Sequence, residues 1–298
     1  MSSITLESAK TAEVNGVSLA YVEQGEGESV VFVHGGISDL RTWEQQLPKI
    51  GCSYRAVTYS RRYARPNDDI ESGTKDTMLP HVSDLVAFLK EINAAPAHLV
   101  GNSYGAFISL LTAIHHPTLV RSLVLEEPPV VPLFVKSTPP GILDLLRLVV
   151  TRPRTAMVLL PGIARILVPA QKAFQRGEDD KGLLLFVEGV LGKHAFDRLP
   201  ETRKQQMRDN ASTLSDQLDG FPSLAECEVR SIGIPVLLVE GELSPPAAIL
   251  LMARLEELLP NSERIRIPNA SHLMHEENSA AVNEAILAFL QPELGDLA

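Results

Sequence analysis

The stretch His98-Leu99-Val100-Gly101-Asn102-Ser103-Tyr104-Gly105-Ala106-Phe107-Ile108-Ser109-Leu110-Leu111 decides the fold. Its first three residues read as a buried strand and its last six as an apolar helix, so Gly101 to Gly105 is a strand-to-helix turn. So tight a turn favours glycine two positions before and after the serine, and it lifts the hydroxyl above a sheet at a helix N-terminus. In that setting Ser103 is the candidate nucleophile, the plainer alternative being a serine that caps the helix.

Outward from this turn the chain alternates strand and helix. Asn15-Gly16, between Ala12-Glu13-Val14 and Val17-Ser18-Leu19-Ala20-Tyr21-Val22, is a two-residue hairpin signal. Short, mostly apolar runs follow at Val30 to Val33, Arg55 to Thr58, His98 to Val100, Ser122 to Leu125, Val236 to Val239 and Arg264 to Ile267, as in strands buried on both faces. Helical patterns separate them: Pro80 to Ile92 with proline at its first position, Tyr104 to His116, Ala247 to Leu259 and Ala280 to Leu290. This order predicts an α/β fold with a mostly parallel sheet flanked by helices. From Pro128 to about Ile232 only helical patterns appear, at Ile142 to Val150, Ile163 to Phe174, Leu183 to Leu191 and Glu201 to Leu218, with breaks at Pro153, Pro161, Gly177 and Pro200. The expected division is a core of residues 1–129 and 226–298 with a helical cap at 130–225. Pro292 to Ala298 reads as a frayed tail.

Two further segments carry chemistry. After Val30 to Val33 comes His34-Gly35-Gly36-Ile37, where glycines at a strand end let backbone N–H groups face a ligand, as an oxyanion requires. The N–H of Gly36, or of Gly35, would join that of Tyr104, and Gly35 and Trp43 are candidates to touch substrate. Core packing is the alternative for Trp43, and an ordering role for His34. The third segment is Ala270-Ser271-His272-Leu273-Met274-His275, after the last strand. A serine needs a base within hydrogen-bond reach, and His272 is the best placed of the eight histidines. His275 is the lesser candidate; His115 and His116 end a helix, where a cation is favourable.

Together the hairpin, His34-Gly35-Gly36, the turn at Ser103, the helical insert and the late histidine resemble the α/β-hydrolase superfamily over nearly the whole chain. The resemblance implies a typically eight-stranded sheet, a Ser-acid-His triad and an active site between core and cap. Many relatives carry the acid as Asp shortly after the strand here at Val236 to Val239, but this chain reads Gly241-Glu242-Leu243-Ser244. A hydroxyl cannot supply the charge that steadies an imidazolium. The stretch Leu123-Val124-Leu125-Glu126-Glu127-Pro128-Pro129 is similar to zearalenone lactone hydrolases, which carry a Glu at this strand end. The resemblance therefore implies Glu127 as the acid, with Glu126 and Glu242 as alternatives. Tyr59-Ser60-Arg61-Arg62-Tyr63 also departs from the superfamily's usual Asp-x-Arg-Gly-x-Gly, and its arginines read as solvated or structural.

Composition narrows the partners. The chain has 298 residues, a formal net charge of −10 and 45% apolar residues, enough for a sizeable core and a poor match for polyphosphate or an anionic membrane. Cys52 and Cys227 form no metal or disulfide pattern, and no cofactor or metal is expected. Met1 to Ser8 lacks the features of a secretory signal, and stretches such as Met157 to Val168 are broken by proline and arginine, so a cytoplasmic protein is expected. The expected activity is hydrolysis of a small hydrophobic ester or lactone through Ser103, His272 and Glu127. Apolar insert residues Ile142, Leu143, Leu145, Val149 and Phe186 suggest the hydrophobic ligand. The rivals are a carbon-carbon bond hydrolase of the same fold and a ligand receptor that keeps a triad; oligomeric state is not legible.

Overall fold

Eight strands form one sheet in the computed structural model, which describes residues 4, 6, 9–136 and 140–291. The tail expected at 292–298 lies outside the described residues. In chain order the strands are β1 (Lys10–Val14), β2 (Val17–Gln24), β3 (Ser29–Val33), β4 (Arg55–Tyr59), β5 (Ala97–Asn102), β6 (Val120–Glu126), β7 (Val236–Gly241) and β8 (Ser262–Ile267). They lie in the order β1-β2-β4-β3-β5-β6-β7-β8, with the β1–β2 and β2–β4 pairs antiparallel and the other pairs parallel. The hairpin turns on Asn15 and Gly16, at φ +47° and +77°, the left-handed pair that a two-residue turn requires.

Alternate side chains of each central strand feed opposite cores. Val31, Val33, Leu99, Leu123, Leu125 and Leu238 join the helices Met78–Glu91, Ser103–His115 and Pro246–Leu258 on one face. Val30, Phe32, Val100, Val124, Leu237 and Val239 join Leu47–Ile50 and Ser279–Leu290 on the other. β3, β5 and β7 are buried at every position, as near-continuous apolar runs require. β8 departs from the expected two-faced burial because it is the sheet edge, and its Arg266 pairs at 2.7 Å with buried Glu240 of β7. The helix expected from Pro80 begins at Met78, and Pro80 falls in the first turn, where a missing N–H costs nothing.

Between β6 and β7 the described residues hold helices and no strand. Pro161 does not break its helix as expected. Pro153–Gly162 continues past it, through a wide turn at Ile163–Leu167, into Val168–Gln175. This 23-residue run, Pro153–Gln175, is by length and composition apolar enough to cross a membrane, although its stretch Met157 to Val168 was expected to be broken. In the fold its Leu159, Ile163, Ile166 and Leu167 line a cavity. The pattern Glu201 to Leu218 splits into Glu201–Asp209 and Leu214–Asp219, because Asn210 between them turns its amide to Asp39 at 2.9 Å.

Candidate active site

Parallel strands in register place their carboxyl ends side by side. Val33 pairs with Gly101, Asn102 with Glu126, and Glu126 with Val239, so the chain leaves the sheet at neighbouring points after β3, β5, β6 and β7. Ser103 follows β5 at φ +50°, a left-handed conformation that L residues adopt at a cost. The glycines beside it are forced by contact. A Cβ on Gly105 would stand 2.2 Å from the Val33 carbonyl oxygen, and one on Gly101 would stand 2.6 Å from the Ala106 Cα.

Arg61 orients the glycine loop after β3. Fully enclosed, it donates from Nη2 to the Gly35 carbonyl at 2.8 Å and from Nε to the His34 carbonyl at 3.1 Å. In a trans peptide the N–H points opposite the carbonyl. Holding the Gly35 oxygen therefore turns the Gly36 N–H away from Arg61, towards the space that Gly36 shares with Ser103. The Tyr104 N–H belongs to the first helical turn, which has no intrahelical acceptor. His34 orders the loop: its Nδ1 meets the Gly35 oxygen at 2.8 Å, and its Nε2 accepts from the Arg61 backbone N–H at 2.9 Å. Burial and the Arg61 charge push the His34 imidazole well below its ordinary value, so it stays neutral as that acceptor role demands.

His272 Nδ1 lies 2.7 Å from Glu127 Oε2, and Glu127 Oε1 accepts from the Gly241 N–H at 2.9 Å. Burial alone would raise the Glu127 carboxyl. His272, the nearby Ser244 hydroxyl and the Gly241 amide outweigh it, holding Glu127 below the ordinary carboxylate range. Like Ser103, Glu127 is left-handed, at φ +45°. Glu126 takes another partner: its Oε2 meets His275 Nδ1 at 2.7 Å, and Asn102 donates to the same oxygen at 3.2 Å. Glu242 is exposed and accepts from the Asn269 N–H. Of the three carboxylates, Glu127 is the one on His272.

Ser103 and His272 line both chambers of a divided cavity. The smaller, about 40 Å³, is walled by Gly35, Gly36, Thr42 and Arg203; the larger, about 340 Å³, by Tyr104, Glu127 and apolar insert residues. Leu145 and Phe186 are among these. Ile142 and Leu143, 78% and 83% exposed, and half-exposed Val149 face outward and line neither chamber. Trp43 also lies away from the cavity, fully buried between Phe32 and the His275 ring at 4.3 Å, so a substrate contact is replaced by core packing.

Sequence reasoning missed the polar ties between insert and core. Asp39, fully buried, accepts from Gln206, Asn210 and Arg41, and Arg203 forms a two-point pair with Glu276 at 2.9 Å. Asp76, His81 and Gln217 form another buried set beside Arg61. Their insert-to-core contacts have no spacing signal, since Gln206 and Asn210 with Asp39, Arg203 with Glu276, and Gln217 with Asp76 join segments far apart in the chain. Among the described residues no cluster of His, Cys, Asp and Glu could hold a metal ion.

Known proteins agree with this architecture. A Mycobacterium tuberculosis protein, provisionally named non-heme bromoperoxidase BpoC, is 28% identical over 92% of this chain and 97% of its own. Among solved structures, carboxylesterase CesB from Bacillus subtilis superposes with a TM-score of 0.69 at 20% identity, covering 95% of this chain and 90% of its own. The enol-lactonase from Burkholderia xenovorans LB400 gives 0.68 at 16% identity, covering 94% and 99%. Residues 30–285 match the profile of the alpha/beta hydrolase family, and the chain, with its eight-stranded sheet and strand-end cavity, belongs to that family.

Proposed function

We propose that the protein is a serine hydrolase of carboxylic esters or lactones of hydrophobic small molecules, with residues 130–225 as a cap over the core. The 2.7 Å contact between His272 and Glu127, in the cavity that Ser103 lines, carries this reading. Ser103 Oγ attacks the carbonyl carbon while its proton passes to His272 Nε2. Glu127 accepts from Nδ1 and steadies the imidazolium, and the Gly36 and Tyr104 N–H groups receive the negative charge on the former carbonyl oxygen. As the bond to the alcohol oxygen breaks, His272 returns the proton to it, leaving an acyl group on Ser103. Water then gives a proton to His272 and attacks the acyl carbon, and as the bond to Ser103 Oγ breaks His272 returns the proton to that oxygen, releasing the acid and restoring the serine. The unequal chambers favour a substrate with one short arm and one long apolar arm at the scissile bond. The carboxylesterase and enol-lactonase likenesses support the reaction class.

A fluorophosphonate is expected to label Ser103 alone, as mapped by mass spectrometry, and p-nitrophenyl esters to give a burst followed by steady turnover. A label elsewhere would remove Ser103 as nucleophile. Ester binding with one turnover or none would favour a receptor, and cleavage of a vinylogous diketone without ester turnover would favour a carbon-carbon hydrolase.

A further inference from the structure

Two consecutive helices of the insert present apolar side chains to solvent. On Ile142–Thr151 the exposed apolar residues are Ile142, Leu143, Leu146, Val149 and Val150, whose spacing puts them on one face. Leu148 of the same helix is buried, and Leu145 lines the larger chamber. The run Pro153–Gln175 follows and packs against it. Its outer face carries Arg154, Met157, Pro161, Arg165, Val168 and Lys172, all exposed and each three or four residues from the next. Only 17% of the most apolar stretch of this run is buried, so it is not the enclosed core helix that such a composition ordinarily marks.

Charge singles out the same segment. From Leu145 to Gly177 there is no Asp or Glu, and there are six cations, Arg147, Arg152, Arg154, Arg165, Lys172 and Arg176. The net charge of −10 thus combines +6 here with −16 elsewhere, a contrast that the whole-chain value averages away. Arg152 is tied to Glu226 at 3.1 Å, but Arg147, Arg154, Arg165 and Lys172 are exposed and form no ion pair with any described residue. Exposed apolar side chains interleaved with unpaired cations match an anionic bilayer, whose headgroups take the charge and whose acyl boundary takes the apolar groups. A second copy of the chain fits poorly, because a symmetric self-contact sets these cations against their own equivalents.

We propose that the outer face of Ile142–Thr151 and Pro153–Gln175 is a membrane-docking surface that lies in the headgroup layer of an anionic phospholipid bilayer. The helices lie on the bilayer and do not cross it: Arg165 stands in the middle of the run, and Ala156, Leu159, Ala170 and Ala173 are buried within the protein. The acidic remainder of the chain is repelled by the same surface, so the protein docks in one orientation, with the insert against the lipid. The inner faces of these helices supply Leu145, Leu159, Ile163 and Ile166 to the larger chamber, so docking sets a wall of that chamber against the bilayer. Binding is independent of the chemistry at Ser103 and stands or fails apart from it.

The test is flotation of the full chain with lipid vesicles. The protein is expected to float with equimolar phosphatidylglycerol and phosphatidylcholine at low salt, and to bind about tenfold or more weakly to phosphatidylcholine alone or at roughly 0.5 M salt. Each cation near such a surface strengthens binding about fivefold, so Arg154→Gln with Lys172→Gln should weaken it about 25-fold. Leu143→Ser with Val150→Ser, at positions 83% and 79% exposed, should also abolish flotation while the melting temperature stays at the wild-type value. Absence of flotation with the anionic vesicles overturns the proposal, as does flotation that is equally strong on neutral vesicles or unchanged by either pair of substitutions. A wild-type dimer in analytical ultracentrifugation that the serine pair dissolves, with no vesicle binding, also overturns it and makes this face a contact between copies of the chain.

Discussion

Glu126 and Glu127 are neighbours in the chain and hold different histidines of one loop, His275 and His272. This gives each a distinct expected phenotype. Glu127→Gln keeps the size but removes the charge beside His272, and kcat should fall by about 10⁴. Glu242→Gln, at an exposed carboxylate bonded to the Asn269 amide, should stay within severalfold of wild type. Glu126→Gln should lower the melting temperature more than kcat, since it disturbs a buried pair behind the turn. Steady-state kinetics and melting on the same three proteins check this; near-normal kcat for Glu127→Gln would move the acid elsewhere. The strand-end places of Ser103 and Glu127 were legible, the first from its Gly-x-Ser-x-Gly turn and the second from the resemblance, which left Glu126 and Glu242 open. Gln217 and Asp39 were not, because their neighbours come from segments more than 130 residues away and nothing local marks the pairing.

At the scale of elements, the strands were read within one or two residues, because burial on both faces leaves an apolar run that needs no partner to be recognised. Breaks within the insert were read less well: proline at 161 lies inside a helical run that continues to Gln175, and the end of a helix at Asp209 depends on a side chain reaching the core. That reach is testable. Asp39 receives the Gln206 and Asn210 amides at 2.7 and 2.9 Å and ties Glu201–Asp209 to the segment after the glycine loop. Asp39→Ala should cost about 2–4 kcal/mol by urea unfolding, because it leaves buried donors without an acceptor. Hydrogen exchange should quicken first in residues 201–210; uniform quickening across the sheet would argue against a local tie.

For the molecule as a whole, stability should depend on pH in a defined direction. Burial, with the Arg61 charge beside them, pushes His34 and His81 below the ordinary histidine value. Below about pH 6.5 the unfolded chain takes up protons that the folded protein refuses, so stability is full above that value and is lost as pH falls. The slope should approach about 1.4 kcal/mol per pH unit for each histidine. Glu127 and Asp76, held low, add a second loss in the same direction below about pH 4. Urea midpoints at pH 7.5, 6.5 and 5.5 report the first window, and unchanged midpoints would contradict neutral His34 and His81. The left-handed backbone at Ser103 has a practical consequence for choosing a dead enzyme to trap complexes. At the first residue of a helix alanine ordinarily outperforms glycine, yet here the left-handed turn penalises any Cβ by about 1–2 kcal/mol, more than the extra freedom glycine must give up. Ser103→Gly should therefore melt above Ser103→Ala, making the smaller replacement the sturdier scaffold for crystallising this protein with an intact ligand.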